Sequence, residues 1–209
     1  MRGFFVTGTG TGIGKTVLSA ALMLHLRARG PVRYFKPIQT GIEQDDDTAE
    51  VRRLACCSAE EIFDIGVRLR GPVSPHLAAR REGIEIALPT LKEGMPDFDG
   101  RWIVEGAGGV LVPVNEPETM ADLMKLLDLP VVVAASSGLG TINHTLLTLE
   151  ALRARSLHVA GVVMIGEPNA ENREAIERYG KIAVRGEMPR FDPLTPEALA
   201  GWAAEGLRL

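Results

Sequence analysis

The chain has 209 residues, 45% hydrophobic and 24% charged, with a formal net charge of −4. This suits one compact α/β unit with a buried core, spanning residues 1–209. With no basic run longer than a dipeptide, it gives no footprint for nucleic acid and favours small-molecule substrates. No stretch approaches the roughly 18 apolar residues of a membrane span, and the start of the chain reads as a strand rather than a leader peptide. The only two cysteines, Cys56 and Cys57, are adjacent and cannot tie distant segments together, so a reducing, cytoplasmic setting is expected.

Taken in order, apolar runs of strand length alternate with amphipathic runs of helix length. Phe4-Phe5-Val6 leads into a glycine-rich loop, and Val17 to Leu26 carries apolar residues at helical spacing, stopped by Gly30. Val32 to Phe35 reads as a strand, broken by Lys36-Pro37. Asp45-Asp46-Asp47 precedes a helix expected to include Cys56 and Cys57. Pro89 to Gly100 reads as a helix and a surface turn. Trp102 to Val104 is a third strand, expected to end in the loop Glu105-Gly106-Ala107-Gly108-Gly109. Val131 to Ala135 is fully apolar, as buried parallel strands are. Thr141 to Arg153 is helical, Val159 to Ile165 a strand, and Ile182 to Val184 a last short strand. A terminal helix follows, with Thr195 as its N-cap and Pro196 as its first residue. This alternation predicts a mostly parallel sheet flanked by helices on both faces.

Val6 to Thr16, "VTGTGTGIGKT", is the most informative segment. An ordinary phosphate loop places four residues between its first glycine and Gly-Lys-[Ser/Thr]. Counting back from Gly14 that position is Thr9, while Gly8 leaves five residues between. The dinucleotide fingerprint fails too: its third glycine would fall on Ile13 or Lys15. A plain flexible turn would need neither Lys15 nor Thr16 at the mouth of an amphipathic helix. The segment therefore reads as a phosphate loop, in which backbone N–H groups at a helix N-terminus cradle phosphate, Lys15 reaches the β/γ oxygens and Thr16 joins Mg²⁺.

Phosphoryl transfer also needs carboxylates for the metal and positive charge around the moving group. Lys36 is held at a strand tip because Pro37 excludes it from the helical region. Glu105 lies where open parallel sheets gather ligands. The acidic triplet could serve equally as a helix cap. His76 and His144 have no second ligand at metal spacing and read as structural.

"FFVTGTGTGIGKT", "KPIQTG", "PVSPH", "VEGAGGVLVPV", "LPVVVAASSGLGTINHTLLT" and "RGEMP" occur in this order. Together they resemble the ATP-dependent dethiobiotin synthetases, a family of P-loop NTPase-type enzymes, from Met1 to about Phe191. The five-residue gap in the loop is part of the resemblance. The resemblance implies an ATP- and Mg²⁺-dependent ligase of biotin formation, which carboxylates 7,8-diaminononanoate with CO2 and closes a ureido ring. It gives Lys15 and Lys36 catalytic positions beside the γ-phosphate and carbamate. Thr16, Asp47 and Glu105 become metal ligands, with Asp47 chosen within the triplet because Thr48-Ala49 and the helix follow it. Gly12, Ile13, Gly14, Lys15, Thr16 and Val17 become nucleotide contacts, together with Asp47, Glu105, Gly106, Ala107 and Gly108. Ile165, Gly166, Pro189, Arg190 and Phe191 would lie along the rest of the nucleotide. Thr11, Lys36 and Thr40 would touch the substrate. Gly140, Thr141, Ile142 and Asn143 would receive its carboxylate across a homodimer interface.

The chain departs from the family at three points. Ile165-Gly166 stands where the family often has an Asn-Asp pair that reads adenine, so base preference is expected to be relaxed. Gly12 stands where an acidic residue is common. No tyrosine matches one that the family uses near the substrate carboxylate; Tyr179 is only in the neighbourhood. The alternatives are a partition- or septum-type P-loop ATPase switch, a cobalamin-type amidotransferase ligase and a non-enzymatic nucleotide-binding module. Against the first, the extra lysine of such loops would stand at position 10, which is Gly10. Against the second, the chain leaves no room for a glutamine-hydrolysing domain.

Overall fold

The computed structural model describes residues 1–209. In chain order the elements are β1 (Gly3–Gly8), α1 (Lys15–Arg27), β2 (Val32–Phe35), β3 (Ile38–Thr40), α2 (Asp47–Leu54), β4 (Ile62–Phe63), β5 (Val67–Leu69), α3 (Pro75–Glu82) and α4 (Leu88–Glu93). There follow β6 (Arg101–Gly109), α5 (Met120–Leu127), β7 (Val131–Ser136), α6 (Thr141–Arg153), β8 (Val159–Ile165), α7 (Ala170–Gly180), β9 (Val184–Met188) and α8 (Pro196–Glu205). Seven strands form one sheet in the order β4-β2-β6-β1-β7-β8-β9, and every pairing in it is parallel.

The alternation of side chains along each strand divides the core. Val6, Tyr34, Ile103, Val132, Ala134, Val163 and Met188 face Leu18, Leu22 and Leu26 of α1, Val51 and Leu54 of α2, and Leu199 and Ala203 of α8. Phe5, Phe35, Trp102, Val104, Val131, Val133 and Met164 face the other way, toward α3 to α7. Strands buried on both faces explain the unbroken apolar run Val131 to Ala135. The strand order turns back between β1 and its two neighbours. The C-terminal ends of β1, β2 and β6 therefore open on one crevice, the usual ligand position of such sheets.

Several elements differ from the sequence expectation. Glu105 does not end a strand: β6 runs on through Gly109, and Gly109 pairs with Gly8 past an irregularity in the register. The glycines there are strand residues because neighbouring chains press close; a Cβ on Gly106 would lie 2.9 Å from the Phe5 ring. The last strand is Val184–Met188, not Ile182 to Val184. Its buried residues, Val184, Gly186 and Met188, alternate with Arg185 and Glu187, and this period of two was hidden by the charges. Cys56 and Cys57 lie beyond α2, which ends at Leu54; Cys56 takes a left-handed φ of 47° as the chain turns away. Burial raises the Cys57 thiol to about 11, so it is inert as a nucleophile. A two-stranded parallel sheet, β3 with β5, was not foreseen. The terminal helix does start at Pro196, with Thr195 Oγ1 accepting from the Ala198 N–H at 3.2 Å. No helix is long and apolar enough to cross a membrane.

Candidate active site

Thr9 to Gly14 joins β1 to α1, anchored by the Thr9 N–H donating to the Ala134 carbonyl on β7 at 3.0 Å. Gly12 has φ +71° and Gly14 φ +96°, left-handed values that cost a side-chain-bearing residue strain. An acidic residue at position 12 would have to adopt that conformation, so glycine there follows from the path of this loop. Gly14 caps α1 without a side-chain bond, leaving the helix N–H groups free for an anion. The Lys15 Nζ donates to the Gly10 carbonyl at 2.9 Å, so the lysine folds back over its own loop.

The loop forms one wall of a cavity of about 700 Å³. Lys36, at the tip of β2, is 3% exposed, and Glu105 on β6 is fully buried. The Lys36 Nζ lies 2.8 Å from Glu105 Oε1 and 2.6 Å from Asp47 Oδ2, and it also donates to the Gly106 carbonyl at 3.1 Å. The Thr16 hydroxyl lies 2.7 Å from Asp47 Oδ1 and 3.1 Å from Glu105 Oε1. Of the acidic triplet only Asp47 reaches this cluster; Asp46 caps α2 by accepting from the Ala49 N–H at 2.9 Å, and Asp45 stays exposed.

The electrostatics follow from burial. Desolvation is the largest influence on Lys36 and acts against its charge, yet Glu105 and then Asp47 outweigh it and hold its pKa above the ordinary value. Lys15 is held below its ordinary value, first by burial and next by the positive charge of Lys36. Burial would raise Asp47, but the Lys36 ammonium overcomes this and keeps its carboxyl below the ordinary range. Taking away one partner of such a set leaves an uncompensated buried charge, a loss of about 3–5 kcal/mol.

The donor set suits magnesium. Two carboxylates and a hydroxyl converge at the mouth of a phosphate loop, the hard-oxygen pattern that Mg²⁺ completes with water and substrate phosphates. A cation, the Lys36 ammonium, already sits between the two carboxylates. The structure has no group of three or more His, Cys, Asp or Glu that could hold a metal by itself, so magnesium here would draw its remaining ligands from water and phosphate.

Thr11, Gly12, Gly14, Lys15, Thr16, Lys36, Thr40, Asp47, Glu105, Ala107 and Gly108 all line the cavity. A second cavity of about 340 Å³ shares Thr11, Thr40, Ala107 and Gly108 and runs under Pro72 to Pro75. The other residues singled out in the sequence lie elsewhere. Ile165 packs on the loop: a Cβ on Gly14 would be 3.2 Å from its Cδ1. Ile13, Val17, Ile165 and Phe191 are half-buried against the core on the α1 side. The Gly166 N–H donates to the Met188 carbonyl at 2.9 Å, Pro189 is half-buried and Arg190 exposed. Gly140, Thr141, Ile142 and Asn143 open α6 outside the cavity, next to a fully exposed Leu139. Tyr179 is exposed, His144 is exposed, and His76 is half-buried.

Three residues around the cluster were missed in the sequence. The Tyr34 hydroxyl donates to Glu105 Oε2 at 3.0 Å. Gln39 donates to the Thr40 and Asp45 carbonyls, at 2.9 and 3.1 Å, steadying the chain before α2. Arg68 donates to the Lys36 carbonyl at 2.9 Å. Tyr34 was findable, since it stands two residues before Lys36, which directly follows β2 and so continues its alternation; Arg68 was not, because its contact depends on β5.

A family model described as an AAA domain matches residues 2–198. The ATP-dependent dethiobiotin synthetase BioD of Paramagnetospirillum magneticum is 50% identical over 201 residues, covering 96% of this chain and 94% of that protein. The enzyme of the same name from Agrobacterium fabrum is 45% identical, covering 94% and 90%. Among solved structures, the cell division ATPase MinD of Pyrococcus furiosus superposes with a TM-score of 0.56 over 97% of both chains. At 18% identity that likeness shows the P-loop fold alone. The five-residue loop gap, the buried lysine between two carboxylates and this identity along nearly the whole chain agree: the chain belongs to the ATP-dependent dethiobiotin synthetase family.

Proposed function

We propose that residues 1–209 act as one catalytic unit converting 7,8-diaminononanoate, CO2 and ATP to dethiobiotin, ADP and phosphate. The observation that carries this reading is Lys36, buried in ion pairs with Glu105 and Asp47 and lining the larger cavity beside the phosphate loop; the second cavity adjoins the first at Thr11, Thr40, Ala107 and Gly108. One substrate amine adds to CO2 and loses a proton, giving a carbamate. A carbamate oxygen takes the γ-phosphoryl group, and ADP leaves. The second amine attacks the carbamoyl carbon, phosphate departs with the bridging oxygen, and the ureido ring closes.

The protein's part is positioning and charge neutralisation. Lys15 moves from the Gly10 carbonyl to the phosphate oxygens. Lys36 sits beside the γ-phosphate and carbamate, and Thr11 and Thr40 orient the substrate end. Thr16, Asp47 and Glu105 would hold Mg²⁺, which neutralises phosphate charge when bound. Gly140 to Asn143 would offer the N-terminus of α6 to the carboxylate of a substrate held by the other subunit of a homodimer. The exposed Leu139 and Leu147 beside it support that reading, and sedimentation at micromolar concentration tests it: a monomer at all concentrations rules it out.

The switch-ATPase reading shares the fold but lacks the lysine at Gly10. ADP release that depends jointly on diamine, bicarbonate and Mg²⁺ tests the enzyme reading. Hydrolysis indifferent to the diamine would favour the switch.

A further inference from the structure

Glu105 divides its two oxygens between opposite sides. Oε1 meets the Lys36 ammonium at 2.8 Å and the Thr16 hydroxyl at 3.1 Å, on the cavity side. Oε2 meets the Tyr34 hydroxyl at 3.0 Å, on the core side. Tyr34 is fully buried, on the same sheet face as Val6 and Ile103. The register explains the contact: Tyr34 pairs with Ile103 across β2 and β6, and Lys36 and Glu105 each lie two residues further on, on that same face. Nothing about packing requires an oxygen here. Phenylalanine would fill the space, and a hydroxyl buried among aliphatic side chains is unfavourable unless it finds a partner.

We infer that Tyr34 is a positioning residue, whose hydroxyl ties back one oxygen of Glu105 so that the other faces the Thr16–Asp47 cation site in a fixed orientation. A neutral donor is the right chemistry for this task. A second ammonium would draw the carboxylate away from the cation site and compete for its charge, whereas a phenol fixes direction and leaves the charge available. The phenol O–H is the only donor of the pair and Glu105 Oε2 lies 3.0 Å from it, so the geometry fixes which group donates.

The inference rests on Glu105 as a cation-facing carboxylate, and the test separates the two. Nucleotide affinity is measured by calorimetry with and without Mg²⁺ for the wild type, Glu105→Gln and Tyr34→Phe, alongside kcat and KM. In Tyr34→Phe the Mg²⁺-free affinity should stay near wild type, while the strengthening by Mg²⁺ and kcat each fall by about 10–100-fold, the size expected for losing the partner of a metal ligand. A Tyr34→Phe protein that loses only melting temperature, with Mg²⁺ strengthening and kcat unchanged, overturns the positioning role. Wild-type strengthening in Glu105→Gln overturns the reading of Glu105, and the inference with it. A second measurement leaves Tyr34 in place. Tyr34 and Tyr179 are the only two tyrosines, so in a Tyr179→Phe background the tyrosine resonance Raman bands report Tyr34 alone. They should shift when Mg²⁺ and nucleotide bind together but not with nucleotide alone; bands that never move count against the inference.

Discussion

The two halves of the nucleotide crevice are built from opposite materials. Where β2, β6 and α2 meet, the buried charged groups pair with one another: Lys36 joins Glu105 and Asp47, and Thr16 bonds to both carboxylates. At the ends of β8 and β9 the side chains near the loop are Ile165 and Phe191, with Pro189 lacking even an N–H. On the proposed reading the first half would stabilise a moving phosphoryl group, and the second, where Ile165 and Phe191 offer no hydrogen-bonding side chain, would hold the base mainly by shape and main chain. Chemistry and base recognition would then be separable, divided where Ile165 packs on Gly14.

The largest expected effect breaks the charged half. Lys36→Ala should lower kcat by about a thousandfold or more while nucleotide affinity changes little, the pattern of a group that acts in the transition state. Steady-state rates with calorimetric affinities measure both; turnover near wild type would remove Lys36 from the mechanism.

A smaller effect belongs to the apolar half. A site with a hydrogen-bonding reader rejects the wrong group by about 10⁴–10⁵, whereas an apolar slot manages about 10–200-fold. ATP, GTP and CTP should therefore differ in kcat/KM by less than about a hundredfold, and Ile165→Asn should widen the gap in favour of ATP. Strong adenine selectivity in the wild type would show that main-chain groups read the base after all.

The smallest effect concerns acid stability. Asp47 has a folded pKa below its unfolded one, so its contribution is present above the ordinary carboxylate range and lost as pH falls through the depressed value. Melting temperature should drop between about pH 5 and pH 2, and less steeply in Asp47→Asn. Equal slopes would mean that Lys36 does not hold Asp47 in the fold.

The sequence revealed most where one physical demand acts alone. The phosphate loop was legible because glycines, Lys15 and Thr16 each answer to a bound phosphate, and the buried strands because β7 is apolar throughout. It misled where two demands overlap. The glycines after Glu105 looked like a loop, but they let β6 run close to Phe5 and Gly8. Strand β9 hid behind Arg185 and Glu187, the two of its five residues that are not buried. At position 12 the left-handed φ of +71° belongs to the folded loop and leaves no mark in the sequence pattern. Tyr34 lay unremarked within β2, because what it does is set by a partner 71 residues away.

The most direct test of the account follows an oxygen atom. If a carbamate oxygen attacks the γ-phosphoryl group, reaction with ¹⁸O-labelled carbon dioxide in ordinary water must leave one labelled oxygen on each phosphate released, with one dethiobiotin formed per ADP. Mass spectrometry of the phosphate at early times reads this out. Label in the phosphate matched to ring closure is the predicted result. Phosphate carrying oxygen from water alone would contradict it, since the nucleotide would then be hydrolysed without ever activating the carbamate.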